Sequence, residues 1–402
     1  MSTQAPESPT ALPEGQHGLR RHSDGAGAFV PVQTRSERFR STSVGDFDEV
    51  TGREAVWKLS PVDRFRDLLA ETLDGGPTPI DVVSAPGTTV AWVDRTEART
   101  GRAGTPEDRA AAAAWTNTEQ VLAITVDGES DENTTVRRHG FGSAPRAAHV
   151  VVEALPHSRG TVILDHSGTA RLTENVEVVV GEGAHVTVVT VQDWDDDAVH
   201  LSSHFARVGR DATLKHVVVS LGGGVVRVNP STHLAEQGSG VDALGVYFAD
   251  AGQHLEQQVY VHHDAPNSRS RVSYKGALQG TGARTVWIGD VLIGRDATAT
   301  DSYEQNRNLV LTDGTRADSI PNLEIETGDI AGAGHASATG RFDDEQLFYL
   351  QARGIPEDQA RRLVVLGFLI EIVQQIGDSA LEARLEEAIE AELRGGSAAT
   401  AP

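Results

Sequence analysis

The stretch Gly181-Glu-Gly-Ala-His-Val-Thr-Val188 decides the fold, because it returns along the chain. Gly209-Arg-Asp-Ala-Thr-Leu-Lys-His216 and Gly238-Ser-Gly-Val-Asp-Ala-Leu-Gly245 follow it at steps of 28 and 29 residues. Gly294-Arg-Asp-Ala-Thr-Ala-Thr-Asp301 begins 56 residues later, two such steps, with a weak copy between them at Asp264-Ala-Pro-Asn-Ser-Arg-Ser-Arg271. Between these turns lie short β-branched runs such as Val186-Thr-Val-Val-Thr-Val191, Leu214-Lys-His-Val-Val-Val219 and Val291-Leu-Ile293. A strand–turn unit recurring at one period means stacked repeats, each burying the face its neighbour exposes. Strands exclude helical repeats, and the lack of helical pattern between them excludes leucine-rich and doubly wound sheets. A β-helix or β-solenoid fits best. A β-sandwich is the second choice, since it gives short strands but no reason for repeating turn chemistry.

The same reading extends outward to both ends. Residues 1–34 are rich in Pro, Gly, Ser and charge and are expected to be a disordered tail. Residues 35–79 read as a helical docking segment, with Glu54-Ala-Val-Trp-Lys-Leu-Ser-Pro61 followed by a helix over 61–73. The β-helix core is placed at 80–328, interrupted by a helical insert over the alanine run at 106–116. Residues 329–394 read as a helical domain opening on a small-residue loop that carries His335. Its helices are expected at 343–353, 356–376 and 379–394, the first N-capped by Asp343 or Asp344, with a disordered tail at 395–402. The second helix, from Leu363 to Val373, is apolar over too wide a surface to be packed on one side only. Helices at the ends would cap the solenoid, and an edge left open is a surface for strand-to-strand dimerisation.

Composition narrows the function. The chain has 402 residues, 58 acids against 35 bases and a formal net charge of −23, so nucleic acid and anionic lipid are not expected partners. Its one visible basic cluster, Arg20-Arg21-His22, falls in the tail. No apolar run is long enough for a membrane span, and the N-terminus lacks the charged and apolar regions of a secretory signal. A cytoplasmic protein is expected. The absence of cysteine excludes disulfides, thiolate nucleophiles and a self-contained cysteine-ligated cluster. There is no Gly-Lys-Ser/Thr of a P-loop and no Gly-x-Gly-x-x-Gly opening a helix after a strand.

Three sites carry candidate chemistry. Asp193, Asp195, Asp196 and Asp197 surround Trp194, with His200 and His204 downstream. They suit a hard-metal site or a carboxylate pair for polysaccharide cleavage on a β-helix, or simply a solvated acidic turn, which charge runs more often are. His262 and His263 end a strand and point to opposite faces, so they do not share a metal easily. His335 sits among small residues that leave its imidazole accessible, as a ligand requires, or satisfied by backbone as a turn histidine.

Several motifs then resemble one family. Tyr274-Lys-Gly-Ala-Leu278, Gln305-Asn-Arg-Asn-Leu-Val-Leu311, Asp318-Ser-Ile-Pro-Asn-Leu-Glu-Ile325 and the His335 segment are similar to the C-terminal signature of the SufB/SufD family. So are Phe342-Asp-Asp-Glu-Gln-Leu-Phe-Tyr-Leu-Gln-Ala-Arg-Gly-Ile-Pro356 and the helix 361–376. Arg53-Glu-Ala-Val-Trp-Lys-Leu-Ser-Pro61 resembles the family's N-terminal segment on the SufD side, and the likeness covers about residues 35–394. It implies a mainly β chain built on a right-handed parallel β-helix, acting as a non-catalytic scaffold subunit of the SUF iron–sulfur cluster assembly system. Within the family SufB carries the scaffold cysteine, so a chain without cysteine resembles the SufD side. The resemblance implies a SufB-like β-helix partner, and a SufC-like ABC ATPase that carries the ATP hydrolysis and docks on the C-terminal helices. Phe348, Leu363, Leu366, Phe368 and Leu369 are candidates for that docking surface or for the core of the helical domain. His335 matches a family histidine implied to help hold a transient cluster at the SufB–SufD interface, with no cofactor bound tightly by this chain alone. Many SufD proteins have Lys-Cys-Ser-His-Gly at this point. Here the stretch is Ala331-Gly-Ala-Gly-His335, without the thiol. The rival from another class is a β-helix glycoside hydrolase or lyase using the acidic turn at 193–197.

Overall fold

The structure, a computed structural model, describes residues 19–21, 29–31, 35, 38–342 and 344–399. Most of the tail expected at 1–34, Asp343 and residues 400–402 lie outside the described residues. Two short strands, β1 (Leu19–Arg21) and β2 (Phe29–Pro31), pair antiparallel.

The body is a two-sheet parallel solenoid. One nine-stranded sheet contains β3 (Ile80–Val83), β6 (Glu129–Arg138), β8 (Arg159–Gly168), β10 (His185–Trp194) and β12 (Thr213–Ser220). It continues through β14 (Gly240–Ala249), β16 (Arg269–Leu278), β18 (Thr300–Val310) and β20 (Ile330–Arg341). The other contains β4 (Thr88–Asp94), β5 (Gln120–Val126), β7 (Gly142–Ala154), β9 (Ala170–Val180) and β11 (Val199–Val208). It ends in β13 (Val225–Leu234), β15 (His254–His263), β17 (Arg284–Ile293) and β19 (Arg316–Ile325). The chain alternates between the sheets, so each repeat holds two strands rather than the single strand–turn unit expected. His185 pairs in register with Thr213, Thr213 with Gly240 and Gly240 with Arg269, which is the period seen in the sequence. Within these two sheets antiparallel pairing is confined to the start, where β3 meets β6 and β4 meets β5.

The recurring turns stack at one corner. Gly183, Asp211, Gly238, Asn267 and Ala299 all take positive φ, between 52° and 75°. Each donates its backbone N–H to a carbonyl of the next turn: Gly183 to Arg210, Asp211 to Gln237, Gly238 to Pro266, Asn267 to Thr298 and Ala299 to Asp329. The left-handed residue points its amide along the solenoid axis, so Gly, Asn and Asp recur there because they tolerate that backbone.

Inside the solenoid, alternate residues of most strands form one apolar core, from Leu122 and Val150 through Val188 and Val228 to Trp287 and Ile293. The outer face of the second sheet is covered by the N-terminal segment. There Trp57, Phe65, Leu68 and Leu69 pack on Leu201 and Val225. The helix expected at 61–73 is instead two 3-10 turns, Val62–Arg64 and Arg66–Leu69, because packing of Phe65, Leu68 and Leu69 overrides helical spacing. Arg227 fastens this layer: its guanidinium bonds Asp108 at 2.9 Å and Glu256 at 3.0 Å and lies 4.2 Å from the Trp57 ring centroid. Asp108 also caps helix α1 (Arg109–Asn117), whose alanines let it approach the strand closely enough for Asn175 to bond Ala111 O.

The outer face of the first sheet is covered by α3 (Glu357–Val373) and α4 (Ser379–Ala399), preceded by α2 (Asp344–Gln351). Val365, Leu369, Ile372 and Val373 pack with Leu385 and Ile389 on Val189, Val217, Val246 and Phe248. That double packing, on sheet and on α4, accounts for the width of the apolar surface on α3.

Candidate functional site

The sheets end on β19 and β20, and among the described residues no strand pairs with their outer edges. His335 lies in β20. The small-residue loop expected at 329–342 is therefore a strand, and the solenoid runs to Arg341 rather than stopping at 328. Its residues lack β-branched signal because they must clear a ring. A Cβ on Gly334 would come 3.1 Å from Tyr303, and one on Gly332 3.0 Å from the Tyr303 hydroxyl.

His335 is exposed and stands opposite Glu304 of β18 in the parallel register, so the two share a face of the sheet. That face is the interior one. Glu304 is only 3% exposed, and its carboxylate reaches across the lumen to Gly289 of β17, where an added Cβ would fall 2.5 Å from Oε2. Among the described residues neither Glu304 oxygen has a hydrogen-bond partner. Burial, aided by the nearby Asp290 charge, pushes its pKa up to about 8.

The rest of the mouth is held by a polar network. Tyr247 donates its hydroxyl proton to Asn308 at 2.6 Å and accepts from Asn306 at 2.8 Å. Asn306 accepts from Ser319 at 2.6 Å, and Ser337 donates to Ser319 at 2.8 Å. Gly245 and Gly276 are required behind it, since a Cβ at either would run into the ring of Tyr274 or Tyr247. The motifs Tyr274-Lys-Gly and Gln305-Asn-Arg-Asn are thus the supports of the solenoid's last turns. Lys275 points the other way, to Glu371 and the Phe368 carbonyl of α3. With Arg384, which grips Asp165 at 2.6 and 2.8 Å, it fixes the helices to the sheet.

The expected docking residues divide. Leu369 is buried, and Leu366 and Phe368 are partly buried in the helix–sheet core. Phe348 and Leu363 are 71% and 53% exposed, joined by exposed Tyr349.

The other candidates separate as well. Asp195, Asp196 and Asp197 form an exposed corner, with Asp195 bonded to Thr169 and Asp196 to Gln253. Trp194, His200 and His204 turn into the lumen instead. His262 stacks outward on His233 while His263 bonds Ser268 and Ser270 inside, which is the opposite-face arrangement expected of adjacent residues. Among the described residues no group of three or more His, Asp or Glu is placed to hold a metal alone.

Sequence reasoning missed Glu304. Its signal was a charge at an inward position of an alternating strand, within the run Thr300, Ser302, Glu304, Asn306 and Asn308, all buried. Finding it required the inward parity of that strand.

The profile of the SUF system FeS cluster assembly SufBD core domain matches residues 138–368. The chain is 48% identical over 373 residues to the iron–sulfur cluster assembly SufBD family protein Mb1497 of Mycobacterium bovis, covering 90% of this chain and 94% of that protein. It is 44% identical over 377 residues to the family protein ML0594 of Mycobacterium leprae, covering 91% and 96%. A second protein of that organism, ML0593, shares 30% identity over 221 residues, 55% of this chain and 25% of its own length. The chain belongs to the SufBD family of iron–sulfur cluster assembly proteins.

Proposed function

We propose that this SufBD family member is the cysteine-free scaffold subunit, of the SufD kind, in a cytoplasmic SUF complex. It pairs with a SufB-like paralogue and docks a SufC-like ATPase, and it catalyses nothing by itself. The carrying observation is the open end of the solenoid, where β19 and β20 present edges that no strand among the described residues pairs with, and one of them bears His335. Strand addition satisfies such edges at little cost in specificity, because backbone supplies the bonds and side chains set the register. The occurrence of two family proteins, ML0594 and ML0593, in one organism supports a paralogous partner.

The iron–sulfur cluster is cargo, made at the seam between the two solenoids. This chain has no thiolate, so the partner supplies sulfur ligands and His335 supplies one nitrogen. The ATPase docks on the helices α2 and α3, which expose the large side chains Phe348, Tyr349 and Leu363. ATP-driven dimerisation of two ATPase copies would pull on the C-terminal helices, and the Lys275–Glu371 tie from α3 and the Arg384–Asp165 tie from α4 would carry that pull to the sheet that ends in β20.

Affinity capture of the tagged full chain from its native cells tests this reading. Recovery of an ABC-type ATPase together with a cysteine-bearing family paralogue is expected. Recovery of the chain alone as a stable monomer would sink it and return attention to the acidic corner and a polysaccharide screen.

A further inference from the structure

Glu304 has no structural reason to be a glutamate. It is buried, both carboxylate oxygens lack partners among the described residues, and the neighbouring Trp287 indole N–H lacks one too. A buried carboxylate without a partner is costly and is retained where something else meets it. Room has been left for it, since Gly289 faces it across the lumen and any side chain there would strike Oε2 and the Trp287 ring. The group directly above it in the register is His335, on the last strand, with solvent beyond. Adjacent strands lie about 4.8 Å apart, so the two side chains leave one face of the sheet a single strand spacing apart, and rotation of the exposed imidazole and of the carboxylate would bring both donors to one ion.

We propose that Glu304 and His335 form a nitrogen–oxygen donor pair for a divalent first-row metal, ferrous iron in the cell, at the mouth of the solenoid. This deepens the proposed function and rests on its reading of His335 as a ligand. One carboxylate and one imidazole suit ferrous iron, whose sites commonly combine these donors and keep positions open. Water fills the open positions in the free chain, and the paralogue's groups replace it in the complex. The chain thereby offers iron, not sulfur, to the nascent cluster, in keeping with its lack of cysteine.

The test is anaerobic equilibrium dialysis of the full chain against ferrous iron, with cobalt(II) absorption as a second readout. Wild type, Glu304→Gln, Glu304→Asp, His335→Ala and the Glu304→Gln/His335→Ala double variant are compared. Wild type is expected to bind one metal above the double-variant background. Glu304→Gln and His335→Ala should each weaken that site on the order of tenfold or more, at least the cost of disturbing a ligand's supporting shell. Glu304→Asp keeps the carboxylate and should fall between. Thermal midpoints of the variants separate lost binding from lost folding. Unchanged binding in Glu304→Gln with loss in His335→Ala overturns this pair while sparing the proposed function. Unchanged binding in both, or no site in wild type, also overturns the pair. The proposed function fails separately, by the capture experiment and by normal cluster loading in a complex carrying His335→Ala.

Discussion

Two glutamates point into the same lumen and have opposite circumstances. Glu174, on β9 near the start of the solenoid, is 1% exposed and is met by Arg138, with His166 Nε2 at 3.4 Å and His200 Nε2 at 3.5 Å. Burial alone would raise its pKa, but the Arg138 charge and the histidine hydrogen bonds hold it well below the usual carboxylate range. Glu304, near the last turn, is almost as buried and has no hydrogen-bond partner among the described residues, so burial, with the Asp290 charge, raises its pKa. The contrast separates a buried charge that locks a structure from one that the structure holds in readiness. A solenoid whose interior is mostly valine and alanine does not need either charge for its core. The first is matched within the chain, and the second is placed at the end where another molecule arrives.

The contrast can be broken at several points, beginning with the largest effect. The Glu174 end is rich in histidines that are neutral when folded. Burial lowers His200 and His216 to about 4 and His263, further along, to about 3. The unfolded chain binds protons at these sites below about pH 6.5. The folded chain does not until near pH 4. Their contribution is therefore complete above pH 6.5 and is lost as the pH falls toward 4, at an upper bound of ~3 kcal/mol for each of the first two. Urea midpoints measured from pH 7.5 to 4.5 should drop steeply, and a flat profile would mean that these rings are hydrated in solution.

Next is Glu174→Gln, which leaves Arg138 buried without its counter-charge and should cost about 3–5 kcal/mol. A loss below 1 kcal/mol in urea unfolding would show that water reaches this layer. Gly289→Ala attacks the space kept for Glu304 and should cost about 1–3 kcal/mol by overpacking against Trp287. If it proved neutral, the Glu304 cradle would be softer than described. Smallest is Glu304→Gln in the free chain, expected to change stability by no more than about 1 kcal/mol, because the carboxyl makes no hydrogen bond among the described residues. A large destabilisation there would place Glu304 among the structural charges, alongside Glu174.

The solenoid was legible because its corner chemistry is local. Gly183, Asp211, Gly238 and Asn267 announce a left-handed backbone whatever surrounds them. The extent of the solenoid was not legible at its end. Ala331-Gly-Ala-Gly-His335 carries no strand propensity and is a strand only because β18 pairs with it and Tyr303 demands small neighbours. The segment at 61–73 misled in the same way, since tertiary packing sets its 3-10 turns. At the site, His335 stood out for its accessible surroundings and its resemblance, whereas Glu304 hid among 58 acids until strand parity put it inside. The docking residues were legible as apolar, but the split between buried Leu369 and exposed Phe348 required three-dimensional packing.

The most direct test of edge pairing at the open end is amide hydrogen exchange on the full chain, free and co-expressed with a cysteine-bearing paralogue. Edge pairing predicts new protection confined to β19 and β20, on either side of His335, with the β8–β14 amides unchanged. Complex formation that leaves the β19 and β20 amides exchanging as in the free chain would contradict it.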